Sequence, residues 1–268
     1  MLSALLLVCI HGVGKRLWTE RNASKRMEAL RTQVNGAGAE IIWITLADVE
    51  QNASTSPAIG QTLQLAANAP QEPQRSISME NLVALRAQNQ DFVGWLRLNG
   101  TKLDYPVMQS LNRPRYYLRR DFLGEKTGGG LPFIDEGCDL TGNRANLIIY
   151  GHNMKNGTMF GDLKRLQKQA FYELHRTLTF DTPERAGTYR IVSVYLTEIR
   201  ADVTFKFYQY TMIDTEEAFH NYCQNVAAAS QYPVDTEFCY GDELLTLVTC
   251  SNHAKEGRLV VVAKRIAG

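Results

Sequence analysis

The chain has 268 residues with 44% hydrophobic side chains, and its 29 Lys and Arg nearly balance 28 Asp and Glu, for a formal charge of +1. These values are typical of a globular protein with one large or two small domains, and they exclude collagen, coiled coils and extended disorder. The near-neutral charge argues against a nucleic-acid partner, because affinity for a phosphate backbone needs an excess of Lys and Arg.

The chain begins with an apolar run over residues 1–10, and a basic stretch from Lys15 to Arg31 follows it. The run is shorter than the roughly 20 residues that cross a bilayer. We interpret it as a shortened signal anchor, which would attach the protein N-terminally to the extracytoplasmic face of the cell membrane. A helix or strand buried in a soluble domain is the alternative.

Residues 11–77 are predicted to form a helical and linker region ahead of the folded domain. Helix-forming residues dominate 16–34, and residues 41–48 fit either a strand or an amphipathic segment. From 50 to 77 the chain is polar and contains prolines without apolar periodicity, which is typical of a linker. The folded domain is therefore expected to cover 78–268.

A short helix should open the folded domain. Ser78 can cap it, Leu82, Val83 and Leu85 fit one helical stripe, and it should end near Asn89. Apolar spacing predicts two further helices, over 159–166 and 214–230.

The rest of this domain is predicted to be mainly β. Short segments rich in β-branched and aromatic residues favour strands. Asn99-Gly100 predicts a two-residue hairpin between the first two of them. The predicted strands cover 92–98, 103–108, 146–150, 188–197, 244–249 and 258–266.

The five cysteines, at positions 9, 138, 223, 239 and 250, form no C-x-x-C pair, and the five histidines show no H-x-x-x-H spacing. The sequence therefore predicts neither a disulfide framework nor a metal site. Cys223 lies on an apolar helical stripe and is expected in the core. Cys138 and Cys239 have no nearby base in the sequence.

Cys250 differs because it ends one predicted strand, while Arg258 opens the next after a polar loop. In an antiparallel hairpin these two residues would face each other, so that the guanidinium stabilises a thiolate or a developing oxyanion. A buried Cys and a surface Arg that merely flank a loop are the alternative. His253 in the loop and His152 at another strand end are both candidates for the acid or base that a nucleophilic thiol needs.

Five segments of the folded domain carry a family resemblance: Asp91-Phe-Val-Gly-Trp-Leu96, Leu103-Asp-Tyr-Pro-Val107, Tyr150-Gly-His-Asn-Met-Lys-Asn-Gly-Thr-Met-Phe160, Thr246-Leu-Val-Thr-Cys250 and Gly257-Arg-Leu-Val-Val-Val-Ala-Lys264. In these segments the chain resembles the sortases, the cysteine transpeptidases of Gram-positive bacteria, and among them class B. The resemblance implies a closed eight-stranded β-barrel with N-terminal helices and a long helix between the sixth and seventh strands.

By this resemblance Cys250 would be the nucleophile, His152 the general acid and base, and Arg258 the stabiliser of the oxyanion. The implied substrates are secreted proteins with a C-terminal sorting motif, whose acyl group passes through a thioacyl-enzyme to an amine of a peptidoglycan precursor or to a pilin lysine. Neither a cofactor nor a metal is implied. A cysteine peptidase of the same fold and a non-catalytic surface-binding β-barrel remain the alternatives.

Four further residues are candidates for substrate contact. Tyr150, Thr249 and Ser251 adjoin the expected catalytic positions, and Leu118 stands where the family has an apolar pocket residue. Ordinary barrel or loop packing is the alternative for each of them. Val248 occupies a position that is often Ser in class B, which leaves the catalytic residues unaffected.

Overall fold

The computed structural model of the protein describes residues 2–36, 77–141 and 145–267. The predicted segment 41–48 lies outside these residues, as does all of the predicted linker 50–77 except its last residue. Residues 2–10 of the apolar run and the basic stretch after it belong to one long helix, α1, Leu2–Asn35. No helix in the described parts of the chain combines the length and the apolar character that crossing a membrane requires.

Eight strands close into a barrel in the order β1-β2-β3-β4-β7-β8-β6-β5. This confirms the expected fold, and all six predicted strands are present. The sequence patterns missed β3 and β5. Strand β3 has only two residues, which are too few to show a periodicity. The strands are β1 Phe92–Arg97, β2 Asp104–Met108, β3 Phe133–Ile134, β4 Asn146–Tyr150, β5 Thr177–Asp181, β6 Thr188–Glu198, β7 Leu244–Cys250 and β8 Gly257–Ala267.

Within the described residues, three shorter α-helices accompany the barrel: α2 Met79–Gln88, α3 Gln169–Leu174 and α4 Glu216–Ala229. Helix α2 confirms the predicted opening helix, but Val83 is 54% exposed and does not belong to its buried stripe. Helix α4 lies between β6 and β7, as expected, and Thr215 caps it by accepting a hydrogen bond from the Ala218 amide.

The helix predicted over 159–166 is wrong in type. The structure forms a 3₁₀ helix over Gly161–Gln167 instead. Met159 cannot begin a helix because its φ is +54° and because it pairs with Asn153 in an isolated β-bridge. The apolar side chains Leu163 and Leu166 are nevertheless buried, so the spacing identified the buried face correctly.

The turn between β1 and β2 is longer than predicted. The Leu98 amide donates to the Leu103 carbonyl at 2.9 Å, so the connection has four residues, 99–102. Gly100 adopts a φ of +72°, which a side chain would disfavour. The Thr101 hydroxyl donates to the Leu98 carbonyl at 2.6 Å and closes the wider turn.

A buried polar network fixes α4 against the strands that lead to the site. Tyr222 on α4 and Thr246 on β7 share a hydroxyl hydrogen bond, and the Thr246 hydroxyl lies 2.7 Å from the Asn146 side-chain oxygen on β4. All three residues are almost fully buried. Because buried polar groups are costly when unpaired, this network favours one position of α4.

Asp104 makes the ion pairs that we expect to matter most for stability. Its carboxylate is 8% exposed and accepts from the Trp95 indole at 2.7 Å and from Arg97 at 2.9 Å. Asp104→Ala leaves both donors without this acceptor and should lower the free energy of unfolding by about 3 kcal/mol in urea titrations. Asp235→Ala, which removes an exposed carboxylate, should cost less than about 1 kcal/mol. Equal losses in both variants would contradict this account.

Candidate active site

Three neighbouring strands bring His152, Cys250 and Arg258 to one edge of the barrel. Strands β4 and β7 are parallel, with Tyr150 opposite Val248, so His152 and Cys250 each follow a paired residue by two positions. Strand β8 runs antiparallel to β7, with Arg258 directly opposite Cys250. Since paired backbones lie about 5 Å apart, the three residues share one rim. The predicted pairing of Cys250 with Arg258 is confirmed.

Cys250 is one of two exposed cysteines among the four whose side chains the structure describes. Among the described residues Cys138 and Cys223 are buried, whereas Cys239 and Cys250 are exposed. Burial raises the pKa of both Cys138 and Cys223 to about 12, so neither forms a thiolate near neutral pH. The core position predicted for Cys223 is confirmed. Cys250 is the exposed thiol that has an arginine as its direct strand partner.

His152 is half-buried and held by a main-chain carbonyl. Its Nε2 lies 2.9 Å from the carbonyl oxygen of Leu118. Because a carbonyl oxygen only accepts, Nε2 must carry a proton, and Nδ1 is then the ring nitrogen that can exchange one. Burial lowers the pKa of the imidazole below its ordinary 6.5, the Leu118 hydrogen bond opposes that shift, and Arg119 adds to it. The imidazole is therefore mainly neutral at pH 7.

The loop after β4 is tied to the end of β7. The Asn153 side-chain amide donates to the Cys250 carbonyl at 2.8 Å, and the Phe160 amide donates to the His152 carbonyl at 2.9 Å. These bonds fix the backbones of His152 and Cys250 relative to each other. Asn153 was not among the predicted site residues, although its place beside His152 in the matched segment was a usable signal. The role of the Leu118 carbonyl was not predicted either, because a main-chain contact leaves no trace in residue type.

Arg258 supplies the positive charge of this rim. Its side chain is 23% exposed, and Nη1 donates to the Gly257 carbonyl at 2.9 Å. The Glu256 carboxylate lies 3.5 Å from Nη2 and is half exposed. Solvent weakens this ion pair, so the guanidinium remains available to a negative charge that develops beside Cys250.

The four candidate contact residues lie near this rim but differ in their surroundings. Thr249 is buried, and its hydroxyl donates to the Gly151 carbonyl at 2.7 Å. Tyr150 is half-buried, and burial, reinforced by nearby Asp135, raises the pKa of its phenol. Leu118 is half-buried beside His152.

Ser251 opens the β7–β8 loop. Its hydroxyl lies 3.0 Å from the Nδ1 of His253, the other candidate base, which is exposed. His253 therefore has a hydroxyl partner on the loop, whereas His152 follows the end of β4, the strand that pairs with the strand of Cys250.

The rim combines an exposed thiol, a neutral imidazole with one free nitrogen and a partly exposed guanidinium. Such a set can attack a carbonyl, exchange a proton with the departing or entering group, and stabilise a tetrahedral oxyanion. Within the described parts of the chain, no group of three or more His, Cys, Asp or Glu residues is arranged to hold a metal ion.

Comparison with known proteins identifies similar chains. A family model described as the Sortase domain matches residues 96–266. Sortase B of Listeria monocytogenes is 32% identical over 189 residues, which cover 70% of this chain and 74% of that protein. Sortase B of Staphylococcus aureus is 32% identical over 185 residues, covering 68% and 73%. A solved Staphylococcus aureus sortase B–substrate complex superposes with a TM-score of 0.63 at 28% identity, covering 83% of this chain and 99% of that one.

Proposed function

The chain belongs to the sortase family, class B, and from that premise we propose that Cys250, His152 and Arg258 catalyse its reaction. Class B sortases are cysteine transpeptidases of proteins that carry a sorting signal, and this chain is one of them. The observation that carries the proposed roles is the rim itself, where Cys250 at the end of β7 and Arg258 on β8 face each other and His152 follows the end of the neighbouring strand β4.

In the first half-reaction, the Cys250 thiol transfers its proton to Nδ1 of His152, and the resulting thiolate attacks a backbone carbonyl of the sorting motif to form a tetrahedral intermediate. The oxyanion of this intermediate is stabilised by the Arg258 guanidinium. His152 in its protonated form gives its Nδ1 proton to the departing amine, and the carbon–nitrogen bond breaks. The product is a thioester between Cys250 and the N-terminal part of the substrate.

In the second half-reaction, a primary amine attacks the thioester. His152, now neutral, accepts a proton from this amine, and the Cys250 thiolate leaves. The solved relative described as a substrate complex supports binding of a substrate by this fold. We propose a peptidoglycan precursor or a pilin lysine as the source of the amine, since the thioester retains the acyl energy that amide formation needs.

Residues 78–268 are proposed to form the catalytic domain, and the match to the Sortase domain over 96–266 lies within this range. The protein is a cell-surface-associated enzyme by its family. We propose that the apolar run at residues 1–10 attaches it to the outer face of the membrane. Retention of the full chain in washed membranes, and its release when residues 1–10 are deleted, would support this attachment.

The experiment that tests the function separates transfer from hydrolysis. The protein is incubated with a peptide library of sorting motifs, and the selected peptide is then offered with increasing concentrations of a primary amine. A transpeptidase gives an amide product whose share rises with amine concentration. Exclusive hydrolysis at high amine would identify a cysteine peptidase, and no turnover of any peptide would favour a non-catalytic barrel.

Arg258→Ala should reduce kcat/KM by about 10²- to 10³-fold, because it removes the donor that stabilises the oxyanion. The partly exposed position of Arg258 predicts that the variant folds normally. Arg265→Ala is the matched control, since Arg265 lies on the same strand but far along it from Cys250. Near wild-type activity in Arg258→Ala, with circular dichroism unchanged, would contradict the assigned role.

A further inference from the structure

The C-terminal half of α1 packs on the connection between β2 and β3. Arg26 on α1 donates to the Asp121 carboxylate at 2.7 Å, and this carboxylate is only 8% exposed. One turn and a half earlier, the Glu20 carboxylate accepts from the Gly128 amide at 2.8 Å. The approach is close, since a β-carbon added at Gly128 would lie 2.7 Å from the same Glu20 oxygen. Two side chains of α1 thus hold both ends of the segment 121–128.

This segment is itself well connected. The second oxygen of Asp121 accepts from the amides of Leu123 and Glu125, at 3.1 and 2.8 Å. The Thr127 amide donates to the Arg119 carbonyl at 3.0 Å. A displacement of 121–128 would therefore be transmitted to Arg119 and to the 3₁₀ helix Tyr116–Arg119 that precedes it.

The 3₁₀ helix carries the carbonyl that holds the imidazole. Leu118 is its third residue, and the Leu118 oxygen lies 2.9 Å from His152 Nε2. A continuous series of contacts consequently runs from Glu20 through Gly128, Thr127, Arg119 and Leu118 to His152. Each residue in this series is hydrogen-bonded or covalently linked to the next.

We propose that α1 positions the catalytic imidazole, with Glu20 and Arg26 as positioning residues. These two residues fix the segment 121–128, and the segment in turn fixes the Leu118 carbonyl. The carbonyl holds the Nε2–H of His152 and so turns Nδ1 toward the reacting groups. This inference rests on the acid and base role proposed for His152. It extends that role, because it makes a helix outside the barrel part of the support of the active site.

The test compares substitutions on one helix. Glu20→Ala and Arg26→Ala remove the two contacts, and Glu20→Gln keeps an oxygen that can accept from Gly128. Arg31→Ala is the matched control, because Arg31 binds Asp104 and stacks on Tyr105 instead of reaching the segment 121–128. Thermal unfolding of each variant is measured to verify that it is folded at the assay temperature.

Two readouts separate positioning from stability. In the wild type, nuclear magnetic resonance should detect the hydrogen-bonded Nε2–H of His152 as a proton protected from solvent exchange. In Glu20→Ala and Arg26→Ala this protection should be lost, and kcat should fall by about 10- to 100-fold with KM little changed. Glu20→Gln should keep the signal and most of the activity, and Arg31→Ala should keep both even where it unfolds at lower temperature.

Unchanged protection and kcat in both Glu20→Ala and Arg26→Ala would overturn the proposal. An equal loss in Arg31→Ala would also overturn it, because helix docking alone would then explain the effect. The resonance experiment needs no turnover, so it is independent of the proposed function. If Glu20→Ala and Arg26→Ala lose the protection but the His152→Gln enzyme is active, the catalytic role of His152 is refuted. The positioning of His152 would then have no catalytic effect.

Discussion

Cys250→Ala should abolish both peptide cleavage and transfer, with a loss in kcat/KM of at least about 10⁴-fold. The reason is chemical, since no other group on the rim can form the thioester that conserves the acyl energy. Cys250 ends β7 with an exposed side chain, so alanine should fold as well as the wild type. The measurement is the rate of amide product from the selected sorting peptide and a primary amine.

Cys239→Ala is the matched control for this result. Cys239 is the other exposed cysteine among the described residues, but it precedes β7, far from the rim. Its replacement should leave kcat/KM within about twofold of the wild type, as expected for a surface change away from the site. Full activity of Cys250→Ala, or loss of activity in Cys239→Ala alone, would refute the assignment of the nucleophile.

His152→Gln should lower kcat/KM by about 10²- to 10⁴-fold, the usual contribution of general acid–base catalysis. Glutamine can still donate to the Leu118 carbonyl, so the loop is expected to keep its position while proton transfer is lost. The residual activity should lack the pH dependence that the imidazole gives to the wild type. The measurement is kcat/KM across the range in which histidine titrates.

His253→Gln is the control for His152, because the two were indistinguishable from residue type. His253 lies in the exposed β7–β8 loop beside Ser251. Its substitution should change the rate several-fold at most and leave the shape of the pH profile intact. If His253→Gln is the inactive variant and His152→Gln is active, the two histidines must exchange roles.

The stability of the folded protein should decrease at acidic pH. Burial lowers the pKa of His152 in the folded protein below the value of 6.5 expected in the unfolded chain. The unfolded state therefore binds the proton more readily, and stability is lost as pH falls below 6.5. His152→Gln should reduce this loss, but His175 has its pKa lowered by burial in the same way and should retain part of it. Chemical denaturation at several pH values measures both contributions, and a resonance titration of His152 with a midpoint above 6.5 would contradict them.

Local sequence patterns predicted most of the barrel because its longer strands are rich in β-branched residues. Strand β3, with two residues, was missed since it exists only through pairing with β2 and β4. The Asn99-Gly100 turn was given the wrong length because Thr101 closes a wider connection. The 3₁₀ helix after Met159 was predicted as an α-helix, since apolar spacing does not distinguish the two over so few residues.

The sequence alone could predict one relation among the site residues but not another. The pairing of Cys250 with Arg258 follows from two consecutive strands and a short loop, so the sequence alone could predict it. Choosing His152 over His253 depends on the parallel pairing of β4 with β7, which joins segments about 100 residues apart and has no local pattern. The family resemblance supplied that choice.

The most direct test is to find the atom that carries the acyl group. The protein is incubated with the selected peptide without added amine, quenched in acid, digested and mapped by tandem mass spectrometry. We predict an acyl group on the fragment that contains Cys250, and its transfer to a primary amine when one is added before the quench. An acyl group on Cys239, or product accumulation with no covalent adduct at all, would contradict the account.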